Sequence, residues 1–171
     1  MNETDLTLEI LGKGNILPPL SIRGCTQTLT PLGQNVLRRT INGVLVSVAH
    51  PGHRKFQSTI SCKDKSPPAF DGLWKGTLLK VGCVQTMTQP IPQGNKKIKL
   101  EREAVACYLY DGSGKTWPVK RGKKQSIAIP SEFPGGFLTY RPFLTMLVKD
   151  YYLETDEWGL TVGWRLELEE V

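Results

Sequence analysis

Alternation near the C-terminus constrains this chain most. In Thr161-Val162-Gly163-Trp164-Arg165-Leu166-Glu167-Leu168-Glu169-Glu170-Val171, Val162, Trp164, Leu166 and Leu168 fall on one side, and Arg165, Glu167 and Glu169 on the other. Successive side chains of a strand point to opposite faces, so this spacing predicts a half-buried strand with a wet, acidic outer face. The apolar run Leu138-Thr139-Tyr140-Arg141-Pro142-Phe143-Leu144-Thr145-Met146-Leu147-Val148 predicts a second strand. Phe133-Pro134-Gly135-Gly136-Phe137 precedes it as a turn, and Glu154-Thr155-Asp156-Glu157 supplies the turn between the two strands. Together they form a long hairpin whose inner face is a large part of any core.

The rest of the chain repeats the same theme with shorter runs. Leu6, Leu8 and Ile10 alternate with polar residues. Phe56, Ser58, Ile60 and Cys62 do the same, and Thr77 to Val84 is a further strand. Asn42-Gly43, between Leu37-Arg38-Arg39-Thr40-Ile41 and Val44-Leu45-Val46-Ser47-Val48, predicts a hairpin closed by a type I′ turn. His50-Pro51-Gly52-His53 reads as another turn, and Ser21 to Gln34 as a loop. Nowhere do twelve residues carry a convincing helical period. The expected fold is all-β, a β-sandwich or small barrel in one domain spanning residues 1–171. Residues 85–131, polar, basic and rich in turns, are expected to leave it as a long protruding hairpin or arm, with 103–110 pairing against 126–129.

Composition narrows the chemistry. The 171 residues carry a net charge of +6 and can bury a core without disulfide or metal. No run of eighteen apolar residues predicts a membrane helix, and Met1-Asn2-Glu3-Thr4-Asp5 has no signal-peptide character. Cys25, Cys62, Cys83 and Cys107 form no C-x-x-C pair and read as structural thiols; with only His50 and His53 beside them, no metal or cofactor is expected. Gly112-Ser113-Gly114-Lys115-Thr116 lacks the earlier glycine of a phosphate loop, since that position is Leu109, and Pro118 follows where a helix should run. It predicts a hairpin turn. With no nucleophile elbow and no spaced acid–base pair, no enzyme activity is expected.

The charge is split along the chain. Lys96 to Lys124 holds nine basic residues against three acids (9 − 3 = +6), and Asp150 to Val171 holds one against seven (1 − 7 = −6). Opposite patches at separate places favour head-to-tail contacts between copies, which close into rings when the rotation allows. The expected contact residues are Lys115, Lys120, Arg121, Lys123 and Lys124 on the basic side, and Glu154, Asp156, Glu157, Glu167, Glu169 and Glu170 on the acidic side. The basic stretch with Tyr108, Tyr110 and Trp117 also has the ingredients of a single-strand nucleic-acid surface, which is the alternative. Acids at Glu101, Glu103 and Asp111 dilute that field, so nucleic acid is not the expected partner.

The stretches Arg38-Arg39-Thr40-Ile41-Asn42-Gly43-Val44-Leu45, Phe56-Gln57-Ser58-Thr59-Ile60-Ser61-Cys62 and Pro67-Pro68-Ala69-Phe70-Asp71-Gly72-Leu73-Trp74-Lys75-Gly76 resemble virion structural proteins of tailed bacteriophages. Tyr140 to Val148, Asp156-Glu157-Trp158-Gly159 and Trp164 to Val171 add to the likeness. The resemblance covers most of the chain outside the basic segment and carries no catalytic motif. It implies a tail-associated subunit, repeated in a ring near the distal tail or baseplate and assembled in the host cytoplasm. It also implies a protruding hairpin reaching copies of itself or other tail proteins. A head–tail junction or fibre-stem subunit fits the same residues.

Overall fold

The computed structural model describes residues 5–18, 24–33, 37–48, 50, 54–122, 125–158 and 161–171, and among them there is no helix. The fold is all-β, as the alternation predicts. Its axis is one strand of 20 residues, β14 (Gly136–Thr155). The first half of β14 lies between β8 (Met87–Ile91) and β10 (Ala104–Asp111). Its second half lies between β7 (Leu78–Gly82) and β15 (Val162–Glu170). Every one of these pairings is antiparallel. Beyond β7 the sheet continues through β1 (Thr7–Ile10) to β2 (Gly14–Asn15). Beyond β15 it continues through β6 (Phe56–Asp64) to β3 (Thr26–Pro31).

One face of β14 serves two cores in succession. Leu144, Met146 and Val148 join Leu8, Val81, Leu166 and Leu168 beneath the main sheet. Phe70 and Leu73, from the link between β6 and β7, cover them, with Phe70 edge-on to Trp164 at 5.8 Å and to Tyr151 at 5.3 Å. Each fully buried aliphatic side chain contributes roughly 1.5–3 kcal/mol. Further up, Leu138 and Tyr140 pack with Ile91 and Leu109. These residues face a small second sheet of β9 (Lys97–Lys99), β13 (Ser126–Ala128) and β12 (Lys120–Arg121), which brings in Ile127 beside Leu100, Ile129 and Phe133.

The main sheet is strongly curled. β3 and β7 stand four strand steps apart in the order, about 19 Å if the sheet were flat. Yet Gln27 on β3 accepts hydrogen bonds from the backbone N–H groups of Val84 (2.7 Å) and Gln85 (3.0 Å), just past the end of β7. Its amide donates to Ser58 Oγ at 3.1 Å, so a buried glutamine closes the curl with every bond satisfied inside.

Four local expectations change. Residues 85–131 are not shown as a protruding arm: β8 and β10 run along β14, and the remainder forms the second sheet over a core of its own. Residues 103–110 do not pair with 126–129; β10 pairs with β14 and with β11 (Thr116–Trp117), while β13 pairs with β9 and β12. The stretch read as a loop from Ser21 to Gln34 contains β3, whose inward positions are Gln27 and Leu29, too polar a pair to show as an apolar period. The hairpin at Asn42-Gly43 forms, between β4 (Leu37–Arg39) and β5 (Leu45–Ser47), but with a different turn. Gly43 N–H donates to Thr40 O at 2.8 Å and Gly43 alone takes a positive φ of 79°, which makes a three-residue loop ending in a bulge rather than type I′.

Candidate interaction surface

The element that leaves the body is the β4–β5 hairpin. It is the outer part of the excursion between β3 and β6, whose root is the pair Pro31 and Phe56. β4 and β5 pair only with each other among the described strands, and every residue from 37 to 48 is exposed. Leu37 (60%), Ile41 (106%), Val44 (58%) and Val48 (58%) stand in solvent, with Leu45 and Val46 beside them. Thr40 ties the turn, its hydroxyl bonding to both the N–H and the carbonyl of Val44, while Arg39 donates to Gly43 O at 3.0 Å. An isolated two-stranded hairpin is marginal in water, and contiguous apolar exposure of this kind marks an interaction site. Arg38 and Arg39 are its only charged residues.

The second exposed feature is the turn end of the β14–β15 hairpin. Tyr152 (59%), Leu153 (42%) and Trp158 (82%) are uncovered there, and Glu154, Asp156 and Glu157 stand exposed among them. Across residues 152–158 there are three acids and no base. The two features lie at opposite ends of the same strand pair. Phe56, at the root of the hairpin, is next to Gln57, which pairs with Glu169; Asp64 at the other end of β6 pairs with Val162 beside the acidic turn. Nine residues of β15 separate those ends, about 27 Å of strand rise.

The charges expected to reach outward divide into two groups. Glu170 is drawn into the body: its side chain is 8% exposed, and it receives Arg102 Nε at 2.8 Å and Arg102 Nη2 at 3.0 Å. Burial alone would lower the pKa of Arg102, but the hydrogen bond and charge of Glu170 outweigh it and hold it raised. Glu169 pairs with Lys149 at 2.8 Å and Glu167 with Arg165 at 2.8 Å. Arg121 on β12 donates to the carbonyls of Ala104 and Val105, pinning the second sheet to β10. Lys115 lies over the Trp117 ring at 5.1 Å. Lys120, Glu154, Asp156 and Glu157 stand exposed. Lys123 and Lys124 lie outside the described residues, as does His53. The Gly112–Thr116 stretch closes the β10–β11 hairpin around Asp111, which accepts from Ser113 N–H (2.9 Å), Lys115 N–H (3.0 Å) and Trp117 Nε1 (3.0 Å).

The apolar character of residues 37–48 is what the charge-based reading missed. Val44-Leu45-Val46 breaks the in–out alternation that a strand packed on one side would keep, and that break was the available signal. No protein-family model matches the chain, and a search of curated proteins finds no significant match.

Proposed function

We propose that the chain is a structural subunit of a bacteriophage tail, forming a ring at the distal tail or baseplate through head-to-tail contacts between copies. The observation that carries this is the β4–β5 hairpin, apolar and basic, exposed along its whole length and rooted at the opposite end of the body from an acidic, aromatic turn. Within one chain the two cannot readily meet. Between two copies they are complementary: Leu37, Ile41, Val44 and Val46 against Tyr152, Leu153 and Trp158, with Arg38 and Arg39 facing Glu154, Asp156 and Glu157. Such a contact is heterologous, and heterologous contacts generate rings or stacks. Apolar burial supplies most of the affinity and the charge pairs set orientation. The outer edge of β4 adds main-chain hydrogen bonds to a neighbouring sheet.

Light scattering and negative-stain microscopy of the purified chain, across concentration and salt, test this. Rings or discrete oligomers that dissociate on Ile41→Asp support it. A monomer at every concentration, combined with salt-dependent binding of a single-stranded oligonucleotide, overturns it in favour of a nucleic-acid module.

A further inference from the structure

Cys25 and Cys62 stand opposite each other across the β3–β6 pair. Thr26 is registered on Ser61 and Gln27 on Ile60, so the next position in the same register sets Cys25 against Cys62. Both belong to the same packed cluster, Cys62 buried and Cys25 partly exposed. Their side chains are hydrogen-bonded to one another. Directly opposed residues of an antiparallel pair have Cα atoms about 4.5 or 5.5 Å apart, and both separations lie within the range a disulfide spans. Cys83 and Cys107 lie in other strand environments, Cys83 buried after β7 and Cys107 on β10.

We propose that Cys25 and Cys62 are a latent cross-strand disulfide, formed by exchange with a low-molecular-weight disulfide, that staples β3 to β6 at the end of the pair away from the root of the β4–β5 hairpin. Cys25, the more accessible thiol, attacks one sulfur of oxidised glutathione as its thiolate, forming a mixed disulfide and releasing one glutathione thiolate. Cys62, losing its proton to solvent, attacks the Cys25 sulfur and expels the second. Two protein thiols and one external disulfide become one protein disulfide and two external thiols, so electrons and protons balance. The loop closed in this way runs from Cys25 to Cys62 and contains the whole hairpin. Burial first, then the hydrogen bond and charge of Cys62, hold the Cys25 thiol well above the ordinary thiol range, which keeps the pair reduced until an oxidant is supplied. The inference stands on β3–β6 register and does not depend on what the hairpin binds.

The test is prolonged incubation of the full chain with oxidised glutathione at mildly alkaline pH, followed by alkylation counting, non-reducing electrophoresis and peptide mapping. The expected product is a monomer that has lost two alkylatable thiols, yields a linked peptide pair containing positions 25 and 62, and melts on the order of 10 °C higher. A Cys83→Ser/Cys107→Ser variant simplifies the map. If that variant fails to fold, mapping of the wild-type chain gives the same answer. Glutathione held on Cys25 with no progress to the internal bond overturns the proposal, as does linkage of either cysteine to Cys83, Cys107 or a second chain.

Discussion

Arg102 grips Glu170 with two hydrogen bonds at the point where β15 ends and β10 begins along the same edge of β14. The same carboxylate accepts Phe56 N–H at 2.9 Å, and Arg102 donates to Arg54 O at 2.7 Å while covering the Phe56 ring at 4.9 Å. The pair therefore joins the two cores and fixes the root of the exposed hairpin. With both side chains largely buried (12% and 8% exposed), removing one partner leaves an uncompensated charge. Glu170→Ala is expected to destabilise by about 3 kcal/mol, read as a shift in urea midpoint, with Arg102→Ala costing a similar amount.

Gln27 is the polar counterpart of that clamp. Replacing it with leucine keeps the volume but orphans the N–H groups of Val84 and Gln85 and the Ser58 hydroxyl. The expected cost is about 2–4 kcal/mol in chemical denaturation. Ser58→Ala should cost only about 1 kcal/mol, since it removes a single bond.

Gly136 begins β14 where β10 crosses it. An added methyl group would fall on the Tyr110 carbonyl oxygen and within 2.7 Å of Asp111 Cα, both main-chain atoms that cannot turn aside. Gly136→Ala is expected to cost about 3 kcal/mol. Hydrogen exchange should show the loss concentrated in β10 and β11.

In the hairpin, Ile41→Asp and Val44→Asp change residues that touch no core, so thermal midpoints should move little, within about 0.5 kcal/mol. Oligomer mass by light scattering should fall to that of a monomer. Replacing both Arg38 and Arg39 with Glu should weaken assembly, and a second triple change to Lys at Glu154, Asp156 and Glu157 should restore part of it.

Acid should loosen the chain through two carboxylates, Asp111 and Asp150. Hydrogen bonds, from the Ser113 hydroxyl first and then the Trp117 indole, hold the Asp111 carboxyl well below its ordinary 3.8, and Lys75 lowers that of Asp150. Each carboxylate is more acidic folded than unfolded, so its stabilisation is complete above pH 3.8 and is lost as pH falls below that value. Urea midpoints measured across that range should decline less steeply for Asp111→Asn than for the wild-type chain.

What could be read from the residues follows their physics. Val162, Trp164, Leu166 and Leu168 announced a one-sided strand because a single periodicity governs nine residues, and all four are buried. β3 stayed hidden because its buried anchor is a glutamine whose partners, Val84 and Gln85, lie far along the chain. The basic segment looked detached because its core residues are scattered: Ile91, Leu100, Leu109 and Ile127 become one cluster, with Phe133 just beyond the segment, only when β14 gathers them. Net charge by segment could not show that Glu167, Glu169 and Glu170 already have cationic partners, since Arg165 is near in sequence but Lys149 and Arg102 are brought in by strand pairing.

β14 also dictates a timetable. β7, β8 and β10 are all made before it, and each hydrogen-bonds along it, so until the ribosome reaches Gly136 those strands have no central template. β6 likewise waits for β15, which is made after β14. The nascent chain thus carries several open edges at once until β14 and β15 emerge, and open edges are where chains pair with the wrong neighbour. Slowing translation would lengthen that vulnerable interval rather than help the chain fold piece by piece.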